Sequence, residues 1–229
     1  FTLSSNTATK KPGETINLSS YVQNNKGTVT YTIKTNGTTT ASTISGSAVT
    51  IGAMNTANDN NQSVVVTITD PGNSNYASKS LDFTITATKH TRTVSWASGT
   101  PDSIAYGTTG KTATETASGS GGTAGSISYT SASTSYITIN SSTGALTVVA
   151  AGGSSKITAT MARTATVAQA TAEKTISTSK AGATFSLSST SATKYTGEQI
   201  DLSSYVQNAK GTVTYTIKTN GTTTASTIS

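Results

Sequence analysis

The sequence predicts an all-β protein built from two-sheet sandwiches in tandem, and three observations carry that prediction. Thr and Ser together make up more than a third of the chain, which favours extended strands and polar turns over helix. Apolar residues alternate with Thr at period two: the odd positions of Thr28–Ile33 are apolar, as are Leu81, Phe83 and Ile85. Such alternation marks antiparallel strands with one face on a core and the other in water. Finally, residues 26–45 and 210–229 are identical, and the match extends backwards so that 1–45 and 185–229 share 37 of 45 positions at an offset of 184. The chain therefore leaves one unit, crosses a second and re-enters a copy of the first. That offset holds two units of roughly 90 residues each, a usual sandwich size.

The first unit, 1–89, reads as strands FTLSS, TINLSSYV, TVTYTI, TASTISGSAVTI, SVVVTIT and the segment around Phe83. Turn residues fall between them: K-P-G at 11–13, N-K-G at 25–27, N-G at 36–37 and D-P-G-N at 70–73. This gives about seven short strands, the number a two-sheet sandwich needs. The second unit, 90–180, opens with RTVSWAS. IAYG then leads to a Gly/Ser tract at 118–126, expected to be a flexible connection. ISYTSAS, YITINSSTGALTVVA, KITATMA and KTISTS supply its later strands. The ends of the two units also match: SNYASKSLDFTITATK lies over TATVAQATAEKTISTSK, so the array reads A–B–A′. The linkers, Thr88–Thr91 and Lys180–Thr184, are only a few residues long and predict sandwiches joined end to end as a rod.

Composition narrows the function classes. There is no cysteine, so disulfides, thiolate chemistry and cysteine-rich zinc sites are excluded. The net charge of +6 is spread singly along the chain apart from Lys10-Lys11 and the group Lys89, His90 and Arg92. Nucleic-acid binding needs clustered cations, so dispersed surface charge predicts no nucleic-acid partner. No segment has the length or apolarity to span a membrane. Phe1 opens directly into a strand pattern with no signal-peptide spelling, so the ends read as those of an excerpt.

GSISYTSASTSYITINSSTGALTVVAAGGSSKITATMA resembles the bacterial immunoglobulin-like (Big) repeats, with a strand, an S-T-G hairpin, a hydrophobic strand and a Gly turn into I-T-A-T. IAYG and DPGNSNYASKSLDFTITATK are similar to the Big variants with Y-G and N-Y signatures. The second unit departs from the N-Y pattern, having Thr166-Val167 at that place. The resemblance implies immunoglobulin-like sandwiches in an extracellular protein of the bacterial cell surface, where such domains form stalks, spacers or adhesive tips. The expected partners are further immunoglobulin-like repeats of the same polypeptide or of neighbouring copies. A glycan or a host surface protein is the partner under the alternative reading of a carbohydrate- or host-receptor-binding module.

Residues able to do chemistry are few. His90, the only histidine, has no nucleophile elbow to serve and reads as a solvated linker residue. The nine acidic residues are scattered, without the facing pair a glycosidase needs. Asn58-Asp59-Asn60-Asn61 offers one carboxylate among three amides, a poor calcium cage and a good polar hairpin tip. The Gly tract lacks the G-K-[ST] ending of a phosphate loop. Lys10 or Lys11 with Glu14 could begin an isopeptide bond of the kind found in related surface domains, but the strand 80–88 has no Asn to complete it. The sequence therefore predicts no catalytic residue, no metal site, no cofactor and no enzyme. Tyr31 and Trp96 lie in alternating strands and are expected in the core. Tyr76, Tyr106 and Tyr136 flank turns and are the candidate ligand-contact aromatics.

The segment 185–229 corresponds to the first half of an A-type sandwich. Its Val213, Tyr215 and Ile217 would lack the opposing strands that 46–89 supplies to the first copy. Completion is expected, by continuing chain or by strands from a neighbouring molecule.

Overall fold

The computed structural model describes residues 1–37, 42–221 and 226–228. It is all-β, with two short 3₁₀ turns among the described residues. Residues 1–179 form one compact unit and 180–229 a second.

Within 1–89 the strands are β1 (Thr2–Leu3), β2 (Thr7–Lys10), β3 (Thr15–Asn17), β4 (Val22–Gln23), β5 (Thr30–Thr35), β6 (Thr43–Ser45), β7 (Ala48–Thr50), β8 (Gln62–Asp70) and β9 (Lys79–Ala87). One sheet has the order β2-β9-β8-β5 and the other β3-β7-β6, with β1 and β4 paired separately. β2 runs parallel to β9 and the remaining pairs are antiparallel. The alternation read from sequence sets the inward rows. Ile33 faces Val66, which faces Phe83, and Val64 faces Ile85. Those side chains meet Ile16, Leu18 and Val49 from the other layer in one core.

Residues 90–179 contain β10 (Thr93–Trp96), β11 (Ser103–Ala105), β12 (Glu115–Ser118), β13 (Ile127–Ser131), β14 (Ile137–Ile139), β15 (Leu146–Val148), β16 (Ser154–Met161) and β17 (Ala170–Ser179). The main sheet runs β11-β17-β16-β13, with β11 parallel to β17. This is the order and polarity of β2-β9-β8-β5, so the chain ends matched by sequence, at β9 and β17, are topologically equivalent. β10 pairs with β12 and β14 with β15. Trp96 packs against both buried clusters of this part, as core placement requires. Tyr31 likewise packs against the first core.

Several strand expectations are corrected. TINLSSYV is not one strand: after β3, Leu18–Tyr21 forms a 3₁₀ turn, because Asn17 Oδ1 accepts the Ser19 N–H at 3.1 Å and competes with extension. β2 escaped prediction because its one inward side chain is Ala8, too small to register as an alternating pattern. β12 escaped it for a similar reason, being rich in Thr and Ala. Thr40 and Ala41, which open the expected TASTISGSAVTI strand, lie outside the described residues.

In 180–229 the strands among the described residues are β18 (Ser186–Leu187) and β19 (Val206–Gln207), paired as β1 is with β4. The 3₁₀ turn recurs at Leu202–Tyr205 with Asp201 as its cap. Residues 214–219 repeat β5 letter for letter but form no strand.

Candidate functional site

The most elaborated polar site is the junction where the chain passes from one sheet system to the next. Residues 51–61 leave β7 and run to the start of β8 through two local turns, in which Asn55 and Asn58 side chains accept the N–H groups of Ala57 and Asn60. These turns hold Asp59 beside the tail of β9 and the segment between β16 and β17. Asp59 Oδ1 accepts from Lys89 Nζ at 3.0 Å, and Oδ2 accepts from the Gln169 N–H at 3.1 Å. Arg163 Nε lies 3.5 Å from Oδ2, while its other nitrogens donate to Ala57 O and Gln169 Oε1. The Lys89 side chain is only 1% exposed and also donates to Asn58 O at 2.8 Å.

Around this node the backbone itself is bridged. Met54 N–H donates to Ala165 O at 2.8 Å. His90 N–H donates to Thr166 O and its carbonyl accepts from Ala168, both at 2.9 Å. His90 Nε2 stands 3.2 Å from Pro12 O, a contact that requires the proton on Nε2. Partial burial at the node raises the Asp59 pKa, but the Gln169 N–H, Lys89 and Arg163 outweigh it, and the carboxyl lies below its ordinary value. The arrangement fixes one layered body against the next.

Two sequence expectations change here. Asn58–Asn61 is not a free hairpin tip, because Asp59 and Asn58 engage Lys89. His90 is not a solvated linker residue; it is half-buried, with Gly121 against its imidazole. Any Cβ on Gly121 would collide with that ring, and its φ of +78° also favours glycine. The Gly/Ser tract is accordingly not a loose connection: Arg92 donates to the carbonyls of Gly119, Gly121 and Gly122 at 3.0–3.2 Å. These contacts span up to 110 residues of sequence and leave no local pattern. The charge cluster Lys89, His90 and Arg92 was the one legible sign of the junction.

The candidate tyrosines occupy separate elements. Tyr76 closes a tight turn with Asn73, is 54% exposed, and has Lys26 Nζ 5.0 Å from its ring centroid. Tyr106 follows β11 and is 51% exposed. Tyr136, expected at the surface, is half-buried against the Ile137 cluster with Gly153 beneath its ring. The close ring pairs among the described residues are Tyr21–Phe83 and Trp96–Tyr129. Glu14 accepts the Lys11 N–H at 2.9 Å and so closes a local turn. Among the described residues no helix is long and apolar enough to cross a membrane.

No family model matches the sequence, and no curated protein matches it. Solved structures similar to it include domains 1–6 of the surface layer protein SbsC, 18% identical with a TM-score of 0.32, covering 68% of this chain and 20% of that one. The protocadherin gammaB4 extracellular domain is 16% identical with a TM-score of 0.31, covering 80% of this chain and 33% of that one. A SusE-like surface-located polysaccharide-binding protein of Bacteroides thetaiotaomicron is 17% identical with a TM-score of 0.28, covering 66% and 29%. The chain thus spans less than half of each of these proteins. The fold assignment rests on the strand order and cores described above.

Proposed function

We propose that the chain is a non-enzymatic segment of an extracellular repeat protein, acting as stalk, spacer or fibre segment of a bacterial surface adhesin of the Big type. In this reading 1–89 and 90–180 are immunoglobulin-like sandwiches of types A and B, and 185–229 begins a second type A. The observation that carries it is the 37 of 45 identity between the two A copies. Interchangeable copies suit a part whose role is length, since adding or losing one removes no unique site. The Asp59 node supports the same role by fixing neighbouring bodies to each other. The test is to display arrays with increasing numbers of A–B pairs between a cell anchor and a constant binding tip. Tip height should grow with pair number while tip affinity stays constant; height independent of pair number would overturn the proposal.

A carbohydrate- or host-receptor-binding module is the second reading, favoured by the exposure of Tyr76 and Tyr106 and by the Lys26 cation beside Tyr76. On a glycan array the spacer reading expects no specific binding. Binding that disappears in Tyr76→Ala or Tyr106→Ala would establish the second reading instead. Tyr136→Ala is the poorer probe, because it also removes core packing.

A further inference from the structure

In the first copy the hairpin β8–β9 is seated on the 1–45 half. The Phe83 ring meets Tyr21 edge-on at 4.8 Å between centroids, and Leu3, Ile16, Leu18 and Tyr31 join the same core. Polar contacts lock the hairpin's place. Asp70 accepts the N–H groups of Lys26 and Gly27 at 2.7 and 2.9 Å, and Asp82 pairs with Lys34 at 2.6 Å. The 185–229 half carries every one of the acceptor groups at the offset of 184, and none of its eight differing positions supplies a core side chain. There Leu187, Ile200, Leu202, Tyr205 and Tyr215 line an open cleft of about 360 Å³. Leu202 is 39% exposed where its counterpart Leu18 is 0% exposed.

We infer that this half is an acceptor for a polypeptide segment with the sequence of residues 46–89, supplied free of its own 1–45 half. The inference goes beyond the spacer reading and does not rest on it. The occupant is specified by the first copy, which shows the same surface filled. The β8 equivalent would pair antiparallel with 214–219, and the β9 equivalent parallel with 191–194. The Phe83 equivalent would enter the cleft against Tyr205. The Asp70 equivalent would accept from Lys210 and Gly211, and the Asp82 equivalent would pair with Lys218. A second intact copy is the poorer donor, because its 46–89 segment is held by a tethered half of nearly the same sequence at high effective concentration.

The test is to add a synthetic 46–89 peptide to the full chain and follow uptake by calorimetry and amide exchange. One-to-one uptake is expected, with exchange in 191–209 slowed at least tenfold. That stretch differs in sequence from 7–25, so its fragments are distinguishable, whereas those of 210–229 and 26–45 are not. Leu202→Asp in the chain and Phe83→Ser in the peptide should each weaken uptake at least tenfold. Leu202→Asp leaves 1–179 intact, because Leu202 belongs to the other compact unit. Failure of uptake would overturn the inference. So would uptake that survives Leu202→Asp, which would indicate exchange into the first sandwich. Protection of 191–209 by dimerisation of the chain alone would overturn it in favour of a second copy.

Discussion

At the residue scale, the carboxylate of Asp59 shows how one side chain can decide the state of several others. Asp59→Ala would leave the Lys89 ammonium, 1% exposed, with Asn58 O as its remaining partner at the node. An incompletely paired buried charge is costly, so urea unfolding should show a loss of about 2–3 kcal/mol. Because the native pKa of Asp59 is lowered, its contribution is present above the ordinary carboxylate range and is lost as pH falls through the native value. Asp59→Asn should flatten that acid slope in the urea midpoint. Tyr129 gives the opposite sign. Burial, and then its hydrogen bond to Glu115, push the phenol up to about 12. Its contribution is present below the ordinary tyrosine range and is lost as pH rises from there to about 12. Tyr129→Phe should remove that alkaline loss; an unchanged midpoint-against-pH curve would show that the phenol does not ionise in this window.

At the element scale, the repeat offers one substitution in two environments. Leu18→Ala empties a fully buried position and should cost about 2–5 kcal/mol in the unfolding of 1–179. Leu202→Ala makes the same change on an open face and should cost less than about 1 kcal/mol. Equal losses would mean that the second half is closed in solution. The elements also show why alternation was legible in some strands and not in others. β8 and β9 each carry several large inward side chains, so their period could be read directly. β2 and β12 present Ala and Thr, and their strand character comes from the neighbours they pair with.

At the scale of the whole molecule, Lys34 and Lys218 stand in the same local sequence but in different surroundings. Lys34 lies in β5, hydrogen-bonded to β8 and paired with Asp82, whereas Lys218 lies outside any strand. Proteolysis requires an extended, accessible backbone, so dilute trypsin should cut after Lys218 well before Lys34. Intact-mass measurement of the first products checks this, and simultaneous cutting at both sites would contradict it. Since the flanking letters are identical, any difference in rate reports tertiary structure alone.

The sequence by itself determined the all-β class, the inward faces of the long strands, the repeat, and the core placement of Tyr31 and Trp96. These follow from side-chain period and turn chemistry, which act over a few neighbouring residues. The tertiary structure alone decided the Asp59 junction, the packing of His90 and the Gly tract, and the half-burial of Tyr136. It also decided whether TYTIKT is a strand. At 30–35 the segment pairs with β8, and the turn before it is held by Asp70, so each backbone group gained is repaid by a cross-strand partner. At 214–219 the same letters lack that partner within their own unit and form no strand. A β-strand takes its hydrogen bonds from another segment, so its local sequence can permit the conformation but cannot supply it.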